Sequence, residues 1–294
     1  MIKLFWNTHN QVLPKPGEIN TENARNYKWG LYHKHSSNEW ILEVLSGLKY
    51  KKIESEKDLA KEDTLVIVDS SIDKKNEYYS KLKLICSKIF LFHLGDESGI
   101  YNLNSIYEKC SHVWRTFCSN KYFLNKKVSC FALGYKSGLI YEKGQSRRKY
   151  KWSFIGTPHK SSRHDLLFQL SDIKPSFSYK TRKFDQKIMD IEQMSKVLSS
   201  TDFVPCPNGF VHPETYRLYE ALESKCIPIV EETYKYYDRL FPNNPFLKVN
   251  RWVEAKSIIK EWESHKVEEK RQECETWWSN YKNQLQEQIK TKVN

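Results

Sequence analysis

Short, nearly continuous apolar runs alternate with amphipathic stretches through the first half of the chain. IKLFW (2–6), TLVIVD (64–69), IFLFH (89–93) and HVWRTF (112–117) are rich in β-branched and aromatic residues, the pattern of strands buried on both faces of a parallel sheet. Between them EWILEVLSGL (39–48), YYSKLKLICSK (78–88) and IYNLNSIYEKC (100–110) place apolar residues at helical spacing, and VSCFALGY (128–135) adds a further strand. Repeated β-α-β units of this kind predict an α/β fold on a mostly parallel sheet.

From Ile140 to Lys151 the chain turns polar and basic, IYEKGQSRRKYK, which reads as a linker. Alternation then resumes: strand WSFIG (152–156), helix HDLLFQL (164–170), strand SFSY (176–179), helix QKIMDIEQMSKVL (186–198), strand DFVPCP (202–207), helix ETYRLYEALES (214–224) and strand IPIV (227–230). After Trp252 the sequence is charged and helical, and an amphipathic pair of helices is expected to pack Trp262, Trp277 and Trp278 onto a lobe. The resulting division is a first lobe at 1–145, a second at 146–250, and C-terminal helices at 251–294 lying across them.

The chain's 294 residues suffice for two such lobes, and 39% hydrophobic content excludes a disordered protein. A net charge of +12 points to anionic partners. Lysine is spread along the whole chain, however, and no aromatic-basic motif of a nucleic-acid module occurs, so nucleic acid is not an expected partner. Phosphorylated substrates and peripheral contact with an anionic membrane remain compatible with the charge. Seven cysteines without a C-x-x-C pair indicate neither a disulfide framework nor a zinc site, so reduced thiols and no metal are expected. MIKLFWNTHNQ lacks the apolar core of a signal peptide, and no stretch approaches the roughly 18 apolar residues of a membrane span. A cytoplasmic, soluble chain is the expectation.

Open parallel sheets bind ligands beyond the carboxyl ends of their strands, so the residues following each strand are the candidates. After WSFIG, Gly156 permits a tight turn, and Lys160, Ser161, Ser162 and Arg163 lead into a helix start suited to phosphate. A serine cap with solvated cations explains the same residues. After DFVPCP come Asn208, Gly209, His212, Glu214 and Thr215, with Pro213 suited to the first helical position. Arg217 and Glu220 follow one turn apart, either as a surface ion pair or as ligands of a diphosphate and a ribose. In the first lobe Asp69, Asp73, Asp96 and Glu97 follow strands and are candidate general bases, as are His9, His35 and His93. Trp29, Tyr32, His33 and His35 lie in a loop that could line an acceptor site.

The stretch FVPCPNGFVHPETYRLYEALESKCIPIV resembles the signature of exostosin-type glycosyltransferases. The matching positions are Cys206, Pro207, Gly209, Arg217, Tyr219, Glu220, Ala221, Cys226, Ile227 and Pro228, while Lys225 stands where the family has a glycine. FHLGDES (92–98), VWRTF (113–117), ALGYKSG (132–138) and FIGTPHKSSR (154–163) are similar to the branch that includes the ribitol xylosyltransferase.

The resemblance covers about residues 88–232. It implies a GT-B fold of two facing Rossmann-like lobes, the first on the acceptor side and the second holding a nucleotide sugar. The implied reaction is metal-independent, inverting transfer of one sugar, with xylose suggested by the branch, from a UDP-sugar donor to a glycan hydroxyl. Nucleotide sugar is then a co-substrate and no cofactor is required. Arg217, with Arg163 and Lys160, would neutralise the diphosphate, Glu220 would bind the ribose, and Asp96 or Asp73 would be the base. A retaining GT-B transferase with another donor, and a non-catalytic nucleotide- or glycan-binding protein, are the alternatives.

Overall fold

The structure, a computed structural model, describes residues 1–7, 38–141, 148–181 and 189–294. It divides into two compact units, Met1–Leu133 with Gln284–Asn294, and Gly134–Asn283. Each is built on an all-parallel sheet accompanied by helices, so the α/β expectation holds.

In the first unit β1 (Ile2–Trp6), β2 (Lys51–Ile53), β3 (Thr64–Asp69), β4 (Lys88–His93), β5 (His112–Arg115) and β6 (Val128–Cys130) are ordered β2-β1-β3-β4-β5-β6. The central strands β3 and β4 are buried over five consecutive residues, which is why their sequences show no alternation. Helices α1 (Asn38–Val44), α2 (Asn76–Ile85), α3 (Asn104–Tyr107) and α4 (Asn120–Phe123) accompany them. Strand β2, only three residues long and largely exposed, was not expected from the sequence, because a short edge strand buries too little to leave a pattern. In IYNLNSIYEKC the helix is confined to four residues.

The second unit contains β7 (Tyr150–Gly156), α5 (Arg163–Gln169), β8 (Ser176–Lys180), α6 (Ile191–Ser199), β9 (Thr201–Cys206), α7 (Tyr216–Glu223), β10 (Ile227–Glu231), α8 (Tyr236–Leu240), β11 (Leu247–Val249) and α9 (Trp252–Glu261). Its sheet runs β11-β10-β9-β7-β8. Trp152, Phe154, Phe203, Ile227, Ile229 and Trp252 form the core beneath it, with Trp262 packed against them. Each such side chain contributes about 1.5–3 kcal/mol on burial. The final helix α10 (Ser264–Val293) begins in the second unit and ends in the first. In the second unit Trp278 Nε1 donates to Glu223 at 2.8 Å. In the first, Gln288 Oε1 accepts from Trp114 Nε1 at 3.1 Å.

Two expectations are corrected. Helix α7 starts at Tyr216 rather than near Pro213, because Glu214 donates its backbone N–H to His212 Nδ1 (3.2 Å) and Thr215 is extended (φ −139°), so the chain turns before it coils. Cys118 and Cys130 are joined as a disulfide, with Cα atoms 5.7 Å apart. Arg115 of β5 lies opposite Cys130 of β6, so the turn leaving β5 returns Cys118 to its partner, a proximity that residue spacing alone does not reveal. The other five cysteines are free and buried.

Candidate functional site

In the second sheet the direction of strand succession reverses between β7 and β9: the chain passes outward from β7 to β8, then crosses to β9 and continues to β10 and β11. The crevice beyond the carboxyl ends at such a switch point is where open α/β sheets take ligands. Gly156 closes β7, Asn208 follows β9 by two residues, and Glu231 closes β10.

Arg217 reaches from α7 to the end of β7, donating from Nη2 to the Ile155 carbonyl at 2.9 Å and lying 4.7 Å over the Phe154 ring. Gly156 makes room for it: a β-carbon there would meet Arg217 Nη2 at 2.8 Å, and the glycine backbone has φ +144°. Arg163 is 7% exposed and donates from Nη1 to the Thr157 carbonyl at 3.0 Å, while its Nε is buried without a partner. Burial, and then the like charge of Arg217, push its guanidinium down to about 9. Burial also lowers Arg217, against the opposing pull of Cys206 and Glu220. Among the described residues neither guanidinium is within ion-pair distance of a carboxylate. A buried and a partly buried guanidinium with no carboxylate at ion-pair distance suit an anion of high charge density.

Glu220 is 8% exposed. Burial raises its carboxyl, and Lys136 first and Arg217 second oppose the shift. Glu214 is spent on structure, accepting from the hydroxyls of Tyr219 and of Tyr236, the latter at 2.8 Å. His212 receives the Glu214 N–H and packs edge-on to Tyr236. Gly209 N–H closes the loop on the His212 carbonyl at 2.9 Å. Lys160 lies 5.5 Å over the exposed Phe210 ring. Thr215 occupies the N-cap position of α7 without a side-chain cap bond. Gly156, Arg163 and Arg217 are thus brought together with Glu220 behind Arg217, whereas Glu214 and His212 brace the loop.

A residue absent from the sequence reading, Glu231, joins two of these loops: its Oε2 accepts from Ser162 Oγ (2.8 Å) and from the Asn208 N–H (3.2 Å). Its place at the carboxyl end of IPIVE was the available signal. Ser162 in turn accepts from Trp252 Nε1 at 2.8 Å. Asn208 donates its amide to Thr233 Oγ1 at 2.7 Å, leaving Oδ1 buried without a partner.

In the first unit Asp96 follows β4 in the left-handed region (φ 62°). Its side chain is 2% exposed, with Oδ2 3.4 Å from Nη2 of the fully buried Arg115 and Oδ1 buried and unpartnered. Arg115 also donates to Tyr107 Oη at 2.9 Å and to the Asp96 and Phe117 carbonyls. His93 shares a 2.8 Å hydrogen bond with the Tyr107 hydroxyl. The preceding Gly95 is required because a β-carbon there would lie 2.0 Å from the Ser70 carbonyl. Asp73 and Glu97 are exposed. Asp69 is saturated by Asn7, Lys75, Tyr79 and the Ser71 N–H, a structural role. His9, Trp29, Tyr32, His33 and His35 lie outside the described residues. Among the described residues no cluster of three or more His, Cys, Asp or Glu is placed to hold a metal, and no helix is long and apolar enough to cross a membrane.

The sequence profile of the RXYLT1 C-terminal domain matches residues 139–294, more than half the chain. Comparison with curated proteins finds no match. Among solved structures the chain is similar to a crystal structure of an alpha1,3-fucosyltransferase, at 11% identity over 96% of this chain and 90% of that one, with a TM-score of 0.47.

Proposed function

Because the chain belongs to the RXYLT1 C-terminal domain family of exostosin-like glycosyltransferases, we propose that its second unit holds the diphosphate of a UDP-sugar donor and that the protein moves one sugar, xylose, to a glycan hydroxyl. The observation that carries the reading is the pair of guanidiniums, buried Arg163 and partly buried Arg217, at the switch point of the second sheet. In the reaction an acceptor oxygen attacks the anomeric carbon, the bond from that carbon to the diphosphate oxygen breaks, and the leaving diphosphate takes the electron pair. Its growing charge is met by the two fixed cations, which need not reorganise as the bond breaks. Protein cations supply the charge that a divalent metal supplies in other transferases, which is the ground for metal-independent transfer.

Direct displacement inverts the anomeric centre and requires a base for the acceptor proton. Asp96 is assigned that role in preference to Asp73. Its carboxylate is anchored through one oxygen by Arg115 and has the other unpaired, whereas Asp73 is exposed. The test is the anomeric configuration of the first-formed product by NMR, with EDTA present. An inverted product formed at an undiminished rate supports the assignment, and a retained configuration or strict dependence on a divalent ion overturns it.

A further inference from the structure

The strands of the first sheet are parallel, so their starts share one rim, while Asp69, Asp73, Asp96 and Glu97, which end or follow β3 and β4, belong to the other. The chain enters β4, β5 and β6 side by side. The Ser111 N–H donates to the Ile89 carbonyl at 2.7 Å, and the Val113 N–H donates to the Lys127 carbonyl at 2.9 Å. With neighbouring strands about 4.8 Å apart, the entries of β4 and β6 are separated by about 10 Å across the sheet. Lys88 opens β4, Lys126 and Lys127 lead into β6, and Lys83 lies in the last turn of α2.

Two buried groups on this rim register the charge around them. Burial pushes the Cys110 thiol up to about 12, and Lys127, Lys109 and Lys83 oppose that shift, with no carboxylate contributing. At His112, which opens β5, Lys292 acts alongside burial. Lys109 donates to Asn76 Oδ1 and the Ser105 carbonyl, and Lys127 to the Glu108 and Cys110 carbonyls. These acceptors are neutral, so they hold the ammoniums without cancelling their charge. Among the described residues none of Lys83, Lys88, Lys109, Lys126, Lys127 and Lys292 lies within ion-pair distance of a carboxylate. Glu62 and Glu108 are the exposed carboxylates of this rim, and buried Asp63 is paired with Lys3 at 3.9 Å. The lysines outnumber them. Leu84, next to Lys83, is 83% exposed, and Leu124, two positions before Lys126, is 91% exposed.

Uncompensated ammoniums flanked by exposed leucines match a surface that spreads negative charge over an apolar interior. Lysine is a hydrated point charge and does not fix the geometry of one phosphate as an arginine fork does. Among the described residues of this rim no aromatic ring is exposed on which a nucleic-acid base could stack. We propose that the strand-start rim of the first unit docks on a membrane surface rich in anionic lipid, with its lysines among the headgroups and Leu84 and Leu124 inserted beneath them. The carboxyl ends of the first sheet, where such sheets take ligands, then face the aqueous side. This docking is independent of the donor reading above.

The test is co-sedimentation of the full chain with vesicles of phosphatidylcholine alone and of phosphatidylcholine mixed with phosphatidylserine, at low and high salt. Lys83→Glu/Lys88→Glu/Lys126→Glu alters three ammoniums of the rim, and Leu84→Ser/Leu124→Ser removes the apolar contact. Lys151→Glu/Lys174→Glu/Lys266→Glu makes the same charge change on exposed lysines of the second unit. Wild type is expected to bind the phosphatidylserine vesicles alone, and to release them in high salt as screening sets in. Each lysine in the headgroup field is worth about fivefold in affinity, so the rim triple variant should bind about a hundredfold or more weakly. The leucine variant should lose about tenfold, and the second-unit variant should stay within about threefold of wild type.

Equal binding to both kinds of vesicle, equal loss in the second-unit variant, or a wild type that binds neither vesicle overturns the proposal. Displacement from the vesicles by a single-stranded oligonucleotide, with the leucine variant binding as wild type does, assigns the face to nucleic acid and overturns it as well. Should the rim triple variant fail to fold, the leucine variant decides, and unchanged vesicle affinity there overturns the proposal.

Discussion

Replacing Gly156 with alanine probes the contact on which the proposed anion site depends. The backbone there has φ +144°, and an added β-carbon would sit 2.8 Å from Arg217 Nη2. The backbone strain costs about 1–3 kcal/mol. The clash itself is with the far end of a flexible side chain, so it is relieved by moving the guanidinium, not the sheet. Movement of several tenths of an ångström breaks the 2.9 Å bond to the Ile155 carbonyl and takes the charge away from its ligand. A hydrogen bond between charged partners contributes about 1.5–3 kcal/mol, so UDP affinity should fall about tenfold to a hundredfold. Stability should fall too, by about 2–4 °C in Tm for each kcal/mol of strain. Gly138→Ala is the control, because its glycine also has positive φ (88°) and a β-carbon there meets only Ile191. Calorimetry with UDP on both variants reads the difference. The reasoning is refuted if Gly156→Ala binds UDP within about twofold of wild type, or if Gly138→Ala loses as much affinity.

Buried His112, bonded to Ser129 Oγ, is held down to about 4 by burial and by Lys292. The unfolded chain therefore binds the extra proton first, and stability should fall as pH drops from about 6.5 toward 4. The upper bound is about 3 kcal/mol, roughly half of it surviving solvent screening. Tm measured against pH should flatten over that range in His112→Gln, and an unchanged slope would remove His112 as the cause. Alkylation of the denatured, unreduced protein should modify five cysteines by mass spectrometry, since Cys118 and Cys130 are bonded; seven modified thiols would refute the bridge. Asp96→Asn should abolish transfer while leaving UDP binding within about twofold of wild type, and full turnover in that variant would remove Asp96 as the base.

The α/β architecture was legible because the central strands of both sheets are continuous apolar runs, and the rule that ligands bind beyond strand ends singled out Gly156, Arg163 and Arg217 as candidates. The contact between Gly156 and Arg217 was not legible, since it joins residues 61 positions apart with two strands and two helices between them. Glu231 was overlooked for a related reason: local sequence shows a charge ending a strand, while its role depends on the two loops that meet there. Lys225 at a position where the family has glycine is explained by its backbone, which adopts φ 56°. Its carbonyl accepts from Arg271 at 3.0 Å and its ammonium pairs with Glu275, contacts with α10 that offset the strain of about 1–2 kcal/mol for a non-glycine residue. No periodicity argument contains that compensation, because the partners lie about 50 residues later in a separate helix.

The measurement that bears most directly on the central claim is thermal unfolding of wild type and Arg217→Ala with and without UDP, EDTA being present throughout. Ligand at a hundredfold excess over Kd stabilises the native state by about 2.7 kcal/mol. The account predicts a clear rise in Tm for wild type and none for Arg217→Ala. An equal rise in both proteins, or no rise in wild type with any nucleoside diphosphate, would contradict it.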